Sequence, residues 1–149
     1  MVTTDVKRVF VDTNILVSAL LPESPRYFHA RGILRRLAEA DAEVWISRQV
    51  IREYLATMTR YEPLWNDVTR ATLIDSGRTL ERHYCVAEDL PLVAEQLYFL
   101  LGQVPTGGKQ VHDANIVATM IAYDVRTLLT YNLADFKRFG SFIEIADNL

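Results

Sequence analysis

Val9-Phe10-Val11-Asp12-Thr13-Asn14-Ile15-Leu16-Val17 is the stretch around which the chain is organised. Apolar residues run up to Asp12 and resume after Asn14. The β-branched and aromatic residues before Asp12 read as a buried strand, so Asp12 falls where a strand gives way to a helix. A carboxylate between two apolar runs is unfavourable unless something pairs with it. Two readings stay open from this stretch alone. Asp12, Thr13 and Asn14 are all good N-caps. Asp12 is equally suited to chemistry if other acids meet it in space.

Outward from that stretch, Lys7 to Val11 forms the first expected strand and Thr13 to Leu21 a short helix that Pro22 ends. Pro25 can open a second helix running to about Ala40, with Phe28, Leu34 and Leu37 among its apolar residues. Val44-Trp45-Ile46 is a second strand, and Ser47 is a good N-cap for the helix that follows, Arg48 to about Arg60. In that helix Val50, Ile51, Tyr54, Leu55 and Met58 recur at helical spacing and define one buried stripe. Glu53 falls off the stripe, on the side of Gln49 and Arg60. Periodicity therefore makes Glu53 a solvated glutamate, unless the polar side of the helix faces a cleft.

Pro63 breaks the pattern, and Trp65 to about Arg82 reads as a further helix. Tyr84-Cys85-Val86 is a third strand. Asp89 and Pro91 mark a helix start, with Leu92, Leu97, Leu100 and Leu101 as its apolar positions. Pro105-Thr106-Gly107-Gly108 is a loop. It lacks the spaced glycine and the Lys-Ser/Thr pair of a phosphate-binding loop. Val111 to about Tyr123 is apolar over most of its circumference, with a narrow polar strip of His112, Asn115 and Thr119. Asp113 lies off that strip, on a face with Ile116, Val117 and Met120. The helix dipole helps a first-turn carboxylate only modestly, so a charge on such a face calls for a cation or a bound metal. Arg126 to Thr130 is a fourth strand. Asn132 is placed to cap a short helix with Asp135 in its first turn, which gives Asp135 a structural reading. Phe142 to Ile145 is the last strand. Strands alternating with helices predict an α/β domain with a mostly parallel sheet, whose functional crevice lies beyond the carboxyl ends of the strands.

The 149 residues carry no obvious linker, so a single domain over 1–149 is expected, large enough for a substantial core. Half of the residues are hydrophobic, which excludes disorder as the general state. No apolar run reaches membrane-spanning length, and the N-terminus lacks the features of a signal peptide. The single Cys85 can form no internal disulfide; it reads as a structural thiol and agrees with a reducing cytoplasm. A net charge of −3 does not advertise a nucleic-acid binder. Arginines do cluster at Arg26, Arg31, Arg35 and Arg36 and again at Arg48, Arg52 and Arg60, but most such residues are solvated. No paired Cys or His shows zinc spacing, and the Ser and His residues have no nucleophile-elbow context. His112 neighbours Asp113 but points elsewhere on the helix, which makes it a structural or rim residue rather than a base.

Four blocks together resemble a family. Val11-Asp12-Thr13-Asn14-Ile15-Leu16, Ser47 with Glu53, His112-Asp113-Ala114-Asn115-Ile116 and Thr130-Tyr131-Asn132-Leu133-Ala134-Asp135-Phe136 look like the motifs of PIN domains, in their order. The likeness is greatest to stand-alone prokaryotic PIN proteins, including VapC toxins, and spans nearly the whole chain. The resemblance implies a three-layer α/β/α sandwich around a short, mostly parallel sheet. It implies RNA cleavage with Mg²⁺ or Mn²⁺. Asp12, Glu53, Asp113 and Asp135 match the family's acidic quartet, as catalytic residues and metal ligands, and Asn14 and Thr130 match the polar residues that orient it. An antitoxin partner and a homodimer are further implications of the resemblance. The chemistry is coherent: carboxylates suit these oxygen-seeking ions. Two ions about 3.5–4 Å apart can activate a water and stabilise the leaving oxygen, with no histidine base. Between Glu53 and Asp113 the chain matches no motif.

Two rivals bear on the same residues. A Mg²⁺-dependent phosphatase of the haloacid dehalogenase type would use Asp12 as nucleophile, but that family places a second Asp where Asn14 stands. The other rival is a PIN-like fold kept as a non-catalytic binding module for RNA or protein.

Overall fold

A computed structural model describes residues 7–61 and 70–149. The strands are β1 (Arg8–Val11), β2 (Glu43–Ser47), β3 (Cys85–Ala87), β4 (Thr127–Leu129) and β5 (Glu144–Ala146). They form one five-stranded sheet in the order β3-β2-β1-β4-β5, and every pairing is parallel. The helices are α1 (Thr13–Leu20), α2 (Tyr27–Glu39), α3 (Arg48–Tyr61), α4 (Arg70–His83), α5 (Pro91–Gln103), α6 (Gln110–Ala122) and α7 (Leu133–Phe136). A 3₁₀ turn, Lys137–Phe139, follows α7. Pro63 and Trp65, expected to break and then begin a helix, lie outside the described residues.

Strand order and handedness fix the layers. From β1 to β2 to β3 the chain moves one way across the sheet. It then recrosses the whole sheet to reach β4. Right-handed crossovers place α1 to α4 on one face and α5, α6 and α7 on the other. The helix contacts agree: α1 packs on α2 and α3, α3 on α4, and α5 on α6. This is the three-layer α/β/α sandwich. β1 is central, so both of its faces are covered, and Val9, Phe10 and Val11 are at most 1% exposed. A strand buried on both sides reads as a continuous apolar run, as this one does.

Local signals explain most of the ends. Ser47 caps α3 by accepting a hydrogen bond from Val50 N at 3.2 Å. Pro91 occupies the first turn of α5. Asp41 and Asp124 take left-handed backbone angles (φ 52° and 54°) just past α2 and α6, and turn the chain back into β2 and β4.

Three expectations differ in detail. Asn132 precedes α7 but makes no side-chain cap. β5 starts at Glu144 rather than Phe142. Phe142 N and Ile143 N both donate to Phe139 O, which holds them in the turn after the 3₁₀ segment. In α5 only Leu100 of the four leucines is fully buried. Leu92 is 49% and Leu101 36% exposed, so α5 carries apolar residues on its outer side too.

Candidate active site

β1 and β4 are neighbours that lead to opposite halves of the sheet, so their carboxyl ends bound the crevice an open α/β sheet offers a ligand. Asp12 stands one residue beyond β1 and Thr130 one beyond β4. Asp12 N donates to Leu129 O at 3.0 Å, which extends the strand pairing and fixes the backbone at the site. The carboxylate of Asp12 serves both readings of its sequence context. Oδ1 accepts from Thr13 N at 2.8 Å and so caps α1. Oδ2 accepts from Thr130 Oγ1 at 2.8 Å and from Asn14 Nδ2 at 3.1 Å.

The directions of these bonds are determined. Tyr131 N donates to Asn14 Oδ1 at 3.0 Å, so the amide of Asn14 must turn its NH₂ toward Asp12 and Thr130. Thr130 Oγ1 already accepts from Asn14 Nδ2 (3.2 Å) and Asn132 N (3.0 Å). With both lone pairs used, its one proton goes to Asp12. Thr130 is fully buried, so water cannot replace any of these bonds.

Glu53 departs from the expectation of a solvated glutamate. It is half-buried, with Oε2 accepting from Thr13 Oγ1 at 3.0 Å and Oε1 from Gln49 Nε2 at 2.8 Å. Gln49 Nε2 also donates to His112 O (3.0 Å), and Gln49 Oε1 accepts from Asn115 Nδ2 (2.8 Å). The polar side of α3 therefore faces a cleft rather than bulk water. One chain of hydrogen bonds ties α1, α3 and α6 together. Gln49, Thr13 and Asn115 are positioning residues that sequence reasoning did not assign to the site. The signal for Gln49 was its place one turn before Glu53 on the same side of α3.

A cleft of about 610 Å³ is lined by Asp12, Glu53 and Asp113, together with Asn14, Arg60 and Asn132. Asp113, in the first turn of α6, is half-buried. Burial pushes its carboxyl pKa up, and the charges of Asp135 and Glu53 push it further. Asp12, only 5% exposed, is pushed up to about 6. Burial is the main cause; the bonds from Thr130 and Thr13 oppose it, and the charges of Glu53 and Asp113 add to it. Asp135 is exposed on α7 and does not line the cleft, but its charge reaches Asp113. Three of the acids thus line one cleft, and the fourth acts on Asp113 by its charge. Among the described residues none of the four forms an ion pair. Nor do any three acid, His or Cys side chains there already converge as a ready cage for a cation.

Comparison with protein families matches residues 9–141 to the PIN domain. The chain belongs to the PIN domain family. Solved structures similar to this PIN domain include VapC20 of Mycobacterium tuberculosis, described as a sarcin-ricin loop cleaving toxin. The two share 19% identity and a TM-score of 0.62, with 91% of this chain and 97% of that one covered. VapBC2 of Rickettsia felis, bound to a DNA fragment from its promoter, gives 20% identity and a TM-score of 0.64 over 93% and 97% of the chains. A toxin–antitoxin complex from Klebsiella pneumoniae gives 21% identity and a TM-score of 0.59 over 86% and 89%. No curated protein matches the chain. Membership of the PIN family leaves the phosphatase reading without support. So does Asn14, whose amide is committed to Asp12 and Thr130. No described helix is long and apolar enough to cross a membrane. Cys85 is a free thiol whose pKa is raised, mainly by burial, which suits a structural role.

Proposed function

We propose that this PIN domain is a ribonuclease that hydrolyses RNA phosphodiester bonds with Mg²⁺ or Mn²⁺, and that it is the toxin of a toxin–antitoxin pair. The observation that carries the reading is three carboxylates lining one cleft, with the charge of a fourth reaching one of them, and among the described residues no ion pair to any of the four. Such a cluster repels phosphate unless hard cations neutralise it. The donor set is all oxygen, as these cations prefer. Mg²⁺ keeps several of its waters and uses one or two carboxylates beside substrate phosphates, so no closed protein cage is needed.

Asp12 and Asp113 are the principal candidate ligands. Glu53 and Asp135 would hold a second ion, directly or through water. When bound, the ions would supply charge neutralisation and activation of a water for in-line displacement of the two-metal type. The chain's own residues do the rest. Thr130 and Asn14 hold Oδ2 of Asp12 in one direction, while Thr13 and Gln49 hold both oxygens of Glu53. At Asp12 the bond from Thr130 favours the ionised carboxylate against the pull of burial.

The toxin assignment rests on likeness to complexes described as toxin–antitoxin pairs, and it implies an antitoxin partner. The decisive experiment incubates the purified protein with total cellular RNA and Mn²⁺, with and without EDTA, beside Asp113→Asn. Metal-dependent cutting that the variant lacks is expected. An intact protein that binds no Mn²⁺ and cuts no RNA would instead identify a non-catalytic module. Growth arrest on expression, relieved by the product of an adjacent small gene, would establish the antitoxin.

A further inference from the structure

Of the arginines in the two sequence clusters, several are spent on neighbours. Arg48 binds Glu81 and Glu88, Arg52 pairs with Asp89, and Arg35 pairs with Glu39. Arg26 differs. It is exposed, and among the described residues its guanidinium makes no hydrogen bond and no ion pair. Its Cζ sits over one aromatic ring instead, 4.1 Å from the centroid of Tyr131. The Tyr131 hydroxyl is 2.7 Å from His29 Nδ1, one turn along α2, and the two rings sit 5.7 Å apart. Tyr131 is therefore gripped twice, by Arg26 on its face and by His29 at its tip.

The backbone places this stack at the edge of the acid site. Tyr131 follows Thr130, and its N–H is the one that orients Asn14 against Asp12. Arg26 follows Pro25, and Tyr131 precedes Asn132; Pro25 and Asn132 both line the cleft.

We infer that Arg26, stacked on Tyr131 and backed by His29, is a nucleobase-binding subsite that receives an unpaired base of the RNA next to the scissile phosphate. This rests on the ribonuclease reading of the acid cluster. A guanidinium has two flat faces. Tyr131 lies on one side of the Arg26 guanidinium, and its exposed side can take the π-face of a base, as arginine planes do in single-stranded RNA recognition. Its N–H donors stay in the guanidinium plane, unspent, and free for a phosphate or a base edge. The ring beneath is pre-ordered by His29, so a base docks on a surface that has little freedom left to lose. The positive charge also offsets the acid cluster at the point where a polyanion must approach. Stacking of this kind tolerates different bases. The subsite thus selects unpaired RNA over duplex before it selects a sequence.

The test measures binding and cleavage separately, with a short single-stranded RNA containing one cleaved bond and a second copy lacking the base beside that bond. Wild type, Arg26→Ala and Tyr131→Leu are compared, since neither substitution touches the backbone N–H that holds Asn14. Anisotropy in Ca²⁺, an ion outside the proposed cofactors, gives affinity, and Mn²⁺-dependent cutting gives kcat and KM. The expected result is a loss of about tenfold in affinity, and a matching rise in KM, for either variant on the intact RNA. Removing the base should weaken wild type equally and the variants hardly further. Wild type that cuts while both variants bind and cut unchanged overturns the subsite and leaves the nuclease standing. A fall in kcat with KM unchanged also overturns it, because that marks a structural role exerted through Asn14. Wild type that binds RNA in an Arg26-dependent way without cutting upholds the subsite and removes the nuclease reading. Wild type that neither binds nor cuts overturns both.

Discussion

Replacing Asp12 by Asn turns the electrostatics of the site into a stability measurement. Asp12 is 5% exposed, and its carboxyl sits at about 6 in the folded protein against an ordinary 3.8. A raised folded pKa means that the folded chain holds the proton more tightly than the unfolded chain does. The resulting stability is fully present below about pH 3.8 and is lost as pH rises through about 6. At about 1.4 kcal/mol per pH unit, the loss across that window is about 3 kcal/mol. For a chain of this size that corresponds to roughly 6–12 °C in Tm. The Asn side chain does not titrate. Its NH₂ would meet two donors, Thr130 Oγ1 and Asn14 Nδ2, but that penalty is the same at every pH and shifts the comparison by a constant.

Urea unfolding of the metal-free wild type and Asp12→Asn between pH 4 and pH 7.5 reads the effect. The stability of the wild type relative to the variant should fall by about 2.5 kcal/mol over the range, chiefly between pH 4 and pH 6.5. Saturating Mn²⁺ should cancel or reverse the fall in wild type only, because the ion needs the ionised carboxylate and so binds better as pH rises. A wild-type-to-variant difference that stays level, or that grows in favour of wild type with pH, would refute the claim that Asp12 is held in an environment hostile to its charge. An equal response of both proteins to Mn²⁺ would refute its role as a ligand.

Further outcomes follow from the same geometry. Asp113 accepts no hydrogen bond among the described residues, and burial and like charges oppose its ionisation, so Asp113→Asn should keep the circular dichroism of wild type and unfold at or above its midpoint at neutral pH, while metal-dependent cleavage is abolished. Thr130→Val removes the donor to Asp12 and the acceptor of Asn132 N, and leaves Asn14 Nδ2 only its bond to Asp12, beside a fully buried position. It should lower unfolding free energy by about 1–3 kcal/mol and raise the Mn²⁺ concentration for half-activation by roughly 10–100-fold. Gln49→Leu cuts the link from Glu53 to His112 O and Asn115, and it should shift the Mn²⁺ activation curve in the same direction. EDTA should stop cleavage by wild type, and added Mn²⁺ should restore it.

Much of the architecture was legible because the chain is locally consistent. An apolar strand ending in Asp12 reads the same way alone and in the sheet. So do Ser47 before α3, Pro91 opening α5 and the apolar girth of α6. Asp113 was legible for a different reason, since a charge on a face with Ile116, Val117 and Met120 contradicts the helix pattern around it. Conflicts of that kind between local rule and placement gather at functional sites. Glu53 gave no such conflict. It obeys the amphipathic pattern of α3, and periodicity divides apolar from polar without telling bulk water from a polar cleft. Only the packing of α3 against α1 and the hydrogen bonds from Gln49 to α6 turn that polar side inward. The outer leucines of α5 fail in the opposite sense: Leu92 and Leu101 fit a buried helix by composition but sit at the surface.

Asp12 shows why the capping and chemical readings of one acid need not compete. A carboxylate has two oxygens, and here they do separate work. Oδ1 satisfies the first free N–H of α1, while Oδ2 is aimed by Thr130 and Asn14, one of them 118 residues and the other two residues away in sequence. The cap fixes the side chain's position, and the long-range bond fixes its direction. The same economy runs through Tyr131. Its N–H orients Asn14 and hence Asp12, while its ring carries Arg26 at the cleft's rim. Substituting the Tyr131 side chain and disturbing its backbone are therefore separable perturbations. The first should move RNA affinity and the second metal affinity, a division that a purely structural Tyr131 could not produce.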